Sequence, residues 1–235
     1  MTSFRSTATS ILSASILCAL CVFAALPSPA RAEDWPQWRG PQQDGVSTET
    51  NVPTKWSATD NIKWKVTIPG SGYGSPIVVG DRIFLNTALE REHKRLLLCL
   101  DRNTGQTLWH TEVLTAPLEQ KNKLNNYASS TPACDGQRVF VTFQDGKQVL
   151  IAAYDLDGKP VWRHKTGGEM WASPMVADGK VYIGTRKGDF WILAAGRELK
   201  VLGQGDLGAP ISGTATAANG TIYVATMKEI WAIGK

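Results

Sequence analysis

The sequence has few of the residues that most often carry catalysis or bind metals. It contains four cysteines and three histidines in 235 residues. After residue 32, no cluster of Cys, His and Asp has the spacing of metal ligands. It has no Gly-x-Ser-x-Gly motif, and no glycine-rich phosphate loop stands before a helix. We therefore expect no metal site and assign no catalytic residue.

The sequence has one long apolar run, and it stands near the N-terminus. Arg5 supplies a positive charge, an apolar stretch covers residues 11–26, and Ala30-Arg31-Ala32 has the small residues of a cleavage site. We predict a signal peptide over residues 1–32 and a periplasmic or extracellular protein without stable membrane insertion. A transmembrane anchor is the alternative, although two serines interrupt the run and two prolines follow it at once.

A strong excess of one charge is also missing. Cleavage would remove Arg5 and Arg31 from the 25 basic residues and none of the 21 acidic ones, which leaves 23 against 21. This balance does not favour a nucleic acid or an anionic membrane as partner. Cys99 and Cys134 remain after cleavage, and we expect two unpaired thiols. A single disulfide is the alternative, because an exported protein can form one.

One sequence motif occurs four times. A Ser or Thr with a small residue or Pro comes first, then a short apolar run, a Gly-containing turn, and alternating β-branched and aromatic residues. The copies cover residues 75–85, 131–141, 173–183 and 214–224. A period of roughly 40 to 55 residues with a hairpin signal in each unit is typical of stacked β-sheet blades. The sequence therefore predicts an all-β protein, a four-bladed or partial β-propeller.

Each unit is predicted to be a four-stranded antiparallel blade. The fourth strands of the first two units carry Trp109 and Trp162, and turns at residues 101–105 and 155–158 precede them. Glycine in these turns can adopt the positive φ that hairpins need. The remaining third and fourth strands are predicted at residues 96–101, 150–155, 189–194, 199–202 and 229–233. The fourth unit thus ends one strand short.

An N-terminal strand is predicted to close the ring. Ile62, Trp64 and Val66 alternate with lysines, which is the pattern of a strand with one buried face. An open sheet edge invites aggregation, so we predict that residues 62–66 supply the missing fourth strand of the last blade. The propeller domain then covers residues 62–235.

The segment before the propeller, residues 33–61, is rich in proline and tryptophan. Proline at this density excludes a helix or a central strand. The tryptophans argue against disorder, because disordered segments are poor in aromatic residues. We expect a packed arm whose tryptophans, Trp35, Trp38 and Trp56, cover the side or one mouth of the propeller. A ligand-recognising arm is the alternative.

The turns that precede Trp109 and Trp162 resemble a known repeat. An Asp, then Thr-Gly, then Trp at residues 101–109 is similar to the tryptophan-docking repeat of pyrroloquinoline-quinone (PQQ) β-propellers, and residues 155–162 form a shorter copy. The opening at residues 35–41 and the ending at 230–235 resemble exported PQQ-like repeat proteins of the outer-membrane assembly factor B type. Those relatives have seven or eight blades, so this chain resembles a shortened member. We expect a compact monomeric ring of four blades; an incomplete ring that closes with another copy is the alternative.

The resemblance to quinoprotein dehydrogenases does not extend to their active site. The active sites of those enzymes resemble one another: each has a pair of adjacent cysteines, a tryptophan platform, a catalytic Asp and calcium ligands. This chain has no Cys-Cys pair. Asp155 and Asp157 lie in a predicted hairpin turn, where Lys159 replaces the third oxygen ligand of a calcium loop. We expect no cofactor, and a non-enzymatic scaffold for a protein or cell-envelope component. A PQQ-dependent oxidoreductase, with PQQ and calcium, is the alternative function.

Three aromatic residues are the candidate binding residues. Tyr73, Tyr127 and Trp171 each lie just before the innermost strand of their unit, with Gly213 at the equivalent place in the fourth. We predict that they surround one mouth of the central channel. They would either plug a narrow hole or bind a flat or extended ligand by stacking.

Overall fold

Four antiparallel sheets follow one another along the chain. The computed structural model describes residues 33–234, and the predicted signal peptide lies outside these residues. The first sheet contains β1 (Ile77–Val79), β2 (Arg82–Leu89), β3 (Lys94–Asp101) and β4 (Thr107–Thr115). The second contains β5 (Ala133–Cys134), β6 (Arg138–Asp145), β7 (Gln148–Asp155) and β8 (Pro160–Lys165). The third contains β9 (Met175–Ala177), β10 (Lys180–Gly184), β11 (Asp189–Ala194) and β12 (Val201–Asp206).

The fourth sheet has three strands, β13 (Thr216–Ala218), β14 (Thr221–Ala225) and β15 (Ile230–Ile233). Each copy of the repeated motif forms the first strand of its sheet and part or all of the second, as predicted. A short 3₁₀ helix, Glu90–Glu92, joins β2 to β3. Within the described residues, no helix has the length and apolar character needed to cross a membrane.

Tight turns set the register of the hairpins. Asp178 and Gly179 join β9 to β10 with φ of 47° and 65°, and Asn219 and Gly220 join β13 to β14 with 47° and 74°. Two successive residues with positive φ form the turn whose twist matches that of paired strands. The sequence Asp-Gly or Asn-Gly between apolar runs therefore predicted these hairpins correctly.

Tryptophan docking joins the first sheet to the second. The indole Nε1 of Trp109 donates a hydrogen bond to the Leu156 carbonyl at 3.2 Å. Its ring lies 5.9 Å from that of Phe84 and against the backbone of Gly158. Thr111 also donates to the Gly158 carbonyl, at 2.9 Å. The residues 155–158 therefore form a hairpin turn that receives the tryptophan of the preceding sheet.

Apolar clusters fill the spaces between neighbouring sheets. Between the first and second sheets, Phe84 and Leu97 share a cluster with Val141 and Tyr154. Further clusters join the second sheet to the third and the third to the fourth. No cluster among residues 33–234 joins the fourth sheet to the first.

The predicted closure by residues 62–66 is wrong. The structure assigns no strand to these residues, and β15 has no neighbour besides β14 within the described chain. Trp64 instead donates from its Nε1 to the Arg102 carbonyl at 3.0 Å and lies against Gly105. The segment is therefore attached to the first sheet by its tryptophan, and the fourth sheet remains one strand short.

The N-terminal arm attaches at its beginning. Trp35 and Val78 exchange backbone hydrogen bonds of 2.7 and 2.9 Å, and the Cys134 N–H donates to the Pro36 carbonyl at 2.8 Å. The arm thus crosses the innermost strands of the first two sheets. Trp38 and Trp56 are exposed, whereas Trp35 is half-buried and pairs with Val78 through its backbone.

Both cysteines after residue 32 are free thiols. Cys99 is buried in β3, and Cys134 is half-buried in β5. Burial raises the pKa of the Cys99 thiol to about 11 and also raises that of Cys134. A thiol held in its protonated form is a poor nucleophile.

Candidate binding cleft

The structure brings two of the three candidate aromatic residues to one cleft. Tyr127 and Trp171 both line a cavity of about 480 Å³, which we call the Tyr127–Trp171 cleft. Tyr73 lies outside it and is 64% exposed, although its backbone N–H donates to the Ala128 carbonyl beside Tyr127. The other lining residues are Glu119, Gln120, Lys121, Asn122, Asn125, Asn126, Ser129, Ser130, Thr142, Phe143, Gln144, Val149, Glu169 and Met170.

The loop between β4 and β5 forms one wall of the cleft. Asn126 holds it in place, because its Oδ1 accepts from the Ala128 N–H and its Nδ2 donates to Ser71 Oγ, both at 2.9 Å. Ser130 Oγ donates to the Thr142 carbonyl at 2.6 Å. Side-chain hydrogen bonds thus replace the strand pairing that this loop lacks.

A buried ion pair supports the same wall. Arg95 is fully buried, and its guanidinium lies 2.5 Å from Glu119 Oε2 and donates to the Ala116 carbonyl at 2.7 Å. The guanidinium also lies 5.7 Å from the Tyr127 ring centroid, and the Lys121 ammonium lies 5.0 Å from it. Cations over an aromatic ring are attracted to its negative face. The ring of Tyr127 is therefore held between the loop and the sheet.

Trp171 also lines the cleft and is largely open to solvent. Its side chain is 68% exposed, and the guanidinium of Arg186 lies 4.3 Å from its ring centroid. Arg186 also donates to Ser212 Oγ at 2.5 Å, and its backbone N–H donates to the Glu169 carbonyl at 2.7 Å. Arg186 thus fixes the position of an exposed aromatic ring.

Sequence reasoning missed the charged residues that organise this cleft. Arg95 and Glu119 are 24 positions apart, and Arg186 lies in the turn between β10 and β11, far in sequence from Tyr127 in the loop between β4 and β5. The one sequence signal that could have identified Arg95 is its place next to the apolar run of β3, where a charged residue is unusual. Nothing in the sequence showed that Glu119 would pair with it.

The donors in the cleft do not fit PQQ with calcium. Its carboxylates are Glu119, which is paired with Arg95, and Glu169. Across residues 33–234, no three His, Cys, Asp or Glu side chains are grouped closely enough to hold a metal ion. The cysteines of the chain are not adjacent in sequence. The arrangement instead provides amide side chains and two aromatic rings, which suit a polar ligand with apolar groups.

The four sheets and the tryptophan docking agree with a family comparison. The family model described as outer membrane protein assembly factor BamB matches residues 92–233. The chain belongs to this family. The match covers more than half of the chain, including the three later sheets.

Two curated relatives match this chain at low sequence identity. The BamB of Burkholderia pseudomallei (strain K96243) is 27% identical over 121 residues, which are 52% of this chain and 27% of that protein. A polyvinylalcohol dehydrogenase of a Pseudomonas species is 24% identical over 132 residues, which are 54% of this chain and 19% of that protein. The chain thus matches less than a third of either curated relative.

A solved BamB structure shows the fold. BamB from Moraxella catarrhalis superposes with a TM-score of 0.53 at 19% identity, over 73% of this chain and 51% of that one. The chain is therefore a β-propeller protein of PQQ-like repeats, with four sheets in the described residues. It spans about half the length of the BamB structure.

Proposed function

We propose that this protein is an exported, non-enzymatic β-propeller that acts as a scaffold and binds an extended polypeptide segment in the Tyr127–Trp171 cleft. The relative named outer membrane protein assembly factor supports a role in assembly, with a protein or cell-envelope component as partner. The predicted signal peptide supports a location in the periplasm or outside the cell. The observation that carries the proposal is the exposed ring of Trp171, held by Arg186 at the rim of a polar cavity.

The chemistry of the cleft suits a polypeptide. Amide groups from Gln120, Asn122 and Gln144 offer both donors and acceptors, as the backbone of an extended peptide requires. Trp, Tyr and Arg are the residues that most often dominate protein interfaces. Tyr127 and Trp171 line the cavity, and Arg186 lies over the Trp171 ring.

The charges favour a segment with acidic residues. Glu119 is paired with Arg95, which leaves Glu169 as the other carboxylate of the lining, while Lys121 also lines the cleft and Arg186 lies over the Trp171 ring. An acidic peptide would gain charge-assisted hydrogen bonds to these two cations. Its affinity would fall with added salt, because exposed charges are screened.

Peptide binding tests this proposal with a matched control. Trp171→Ala should weaken binding of fluorescent peptides containing aromatic and acidic residues by about tenfold or more, as expected for an interface anchor. Trp38→Ala is the control, because Trp38 is 61% exposed and also lies under an arginine, Arg39, at 5.5 Å. Equal losses in both variants, or no binding of any peptide by the wild type, would contradict the proposal.

A PQQ-dependent oxidoreductase is the second candidate. The specific observation in its favour is the similarity to the polyvinylalcohol dehydrogenase. Titration with PQQ and calcium, followed by tryptophan fluorescence, tests cofactor binding directly. Because the donors do not fit, we expect no quenching and no oxidation of alcohols with a dye as electron acceptor. Turnover in that assay would refute the scaffold proposal.

A further inference from the structure

The fourth sheet offers an open strand edge. Among residues 33–234, its last strand, β15, has only β14 as a neighbour, and all four residues of β15 are exposed. Ile230 is 74% exposed, and Trp231 and Ile233 are also among the exposed apolar side chains. A flat, apolar edge strand with unpaired backbone groups is a template for another strand.

The free backbone groups of β15 are identifiable. The Thr226 N–H donates to the Glu229 carbonyl at 2.8 Å, which begins the ladder between β14 and β15. Hydrogen-bonded and non-bonded pairs alternate along an antiparallel ladder. The backbone groups of Ile230 and Ala232 therefore point to the open edge.

Residues 62–66 contact the first sheet in the way that the fourth strand of a preceding sheet would. The described chain has no such preceding sheet. Trp64 bonds to the Arg102 carbonyl at 3.0 Å, as Trp109 bonds to the Leu156 carbonyl at 3.2 Å. A Cβ built on Gly105 would lie 2.4 Å from the Trp64 ring, and one built on Gly158 would lie 2.8 Å from Trp109. Trp64 thus repeats, on the first sheet, the contact that a fourth-strand tryptophan makes with the sheet after it.

The segment is nevertheless unpaired in the described chain. It has no strand neighbour, and Ile62 and Val66, which alternate with Lys63 and Lys65, are exposed. The fourth sheet therefore has three strands and lacks a fourth. At the other end of the row of sheets, residues 62–66 resemble a fourth strand but have no sheet to pair with. The two ends are complementary.

We propose that two copies of this chain join head to tail, with residues 62–66 of each copy adding to β15 of the other as the fourth strand. A two-fold axis makes both contacts identical and closes the ring, so the β15 edge is covered in both copies. The product has eight sheets. One chain covers 51% of the BamB structure, so two copies together correspond to about its length.

A second copy fits this edge better than the chain's own N-terminal segment. In the single chain the segment is docked by Trp64 on the first sheet, and no hydrogen bond joins it to β15 among the described residues. The second copy brings an identical, already docked segment, so neither chain has to rearrange. The proposal does not depend on the function of the Tyr127–Trp171 cleft.

The mass of the purified protein in solution is the first test. Light scattering after gel filtration should give twice the mass of the processed chain. Ile230→Lys and Ile62→Lys each place a charge on one of the two complementary surfaces, and each should raise the dimer dissociation constant by about a hundredfold or more. Val201→Lys is the matched control, because Val201 is 45% exposed on β12, the outer strand of the third sheet. It should leave the dimer intact.

Cross-linking between native lysines identifies the surfaces. Lys228 lies just before β15, and Lys63 and Lys65 lie in the segment. Protein labelled with ¹⁵N is mixed with unlabelled protein, allowed to exchange, and treated with an amine cross-linker. We expect Lys228 joined to Lys63 or Lys65 in peptides that contain one labelled and one unlabelled partner.

Three results would overturn the proposal. A monomeric wild type shows that the edge has no such partner. Cross-links between these lysines found only within one label show that a chain closes on itself. A dimer that survives both Ile230→Lys and Ile62→Lys forms through another surface.

Discussion

Replacing Gly158 with alanine tests how the first two sheets are held together. Gly158 has φ of +80°, and an added Cβ would lie 2.8 Å from the Trp109 ring and 2.9 Å from Thr111 Oγ1. Gly146 is the matched control: it has φ of +61° in the turn between β6 and β7, and an added Cβ there has nothing within 4 Å. Both substitutions force alanine into a backbone conformation with positive φ. Only Gly158→Ala also brings a methyl group against Trp109 and Thr111.

The magnitudes can be worked out from these contacts. The left-handed conformation costs alanine about 1–2 kcal/mol, so Gly146→Ala should lower the free energy of unfolding by that amount. Gly158→Ala adds overpacking of about 1–3 kcal/mol. Displacing the Trp109 ring also weakens its bond to the Leu156 carbonyl, worth about 1 kcal/mol. We expect a total of about 3–6 kcal/mol.

Urea unfolding monitored by circular dichroism measures both variants, and a double-mutant cycle isolates the contact. Trp109→Ala removes the ring that the new methyl group meets. In that background Gly158→Ala should cost less, because only the backbone term of about 1–2 kcal/mol and the contact with Thr111 Oγ1 remain. Equal costs for Gly146→Ala and Gly158→Ala, or a cost at Gly158 that is the same with and without Trp109, would refute the docking account.

Three further predictions concern buried titratable groups. Burial lowers the pKa of His164, whose ring packs 5.1 Å from Trp191, so the unfolded chain binds more protons on this residue below pH 6.5. The free energy of unfolding should therefore fall as the pH decreases through that range, and His164→Gln should flatten this dependence in urea titrations. Glu119→Gln leaves Arg95 buried without its carboxylate and should cost about 3 kcal/mol or more in the same assay; a neutral result would contradict the ion-pair account. The Cys99 thiol, with a pKa of about 11, should react with a thiol reagent at pH 8 only after unfolding, and rapid reaction of the folded protein would contradict its burial.

Most of the β-structure could be predicted because its signals are local. The turn at Asp178 and Gly179 and the alternation after it are contained in about ten residues, and the docking of Trp109 follows from a repeat. The fourth strand of the third sheet, predicted at residues 199–202, lies at Val201–Asp206. That sequence, Val-Leu-Gly-Gln-Gly-Asp, lacks alternation, so local pattern could not place its end.

The candidate site was only partly predictable. Repeat position predicted Tyr73, Tyr127 and Trp171 at one mouth of the channel; in the structure Tyr127 and Trp171 line one cleft and Tyr73 lies outside it. The ion pair of Arg95 with Glu119 depends on how the loop after β4 folds back over the sheet. A buried charge is stable only with its partner, and the partner cannot be identified from spacing when it lies in an irregular loop.

The sequence by itself determined the repeated blade, its hairpin turns and the docking tryptophans, because each depends on backbone preferences and side-chain alternation within a few residues. The tertiary structure decided which edges stay open. Alternation at residues 62–66 predicted a strand, yet a strand forms only where another chain segment supplies hydrogen bonds, and in this structure Trp64 attaches the segment to the first sheet instead. Strand pairing between distant segments depends on how the sheets stack, and that information belongs to the whole fold.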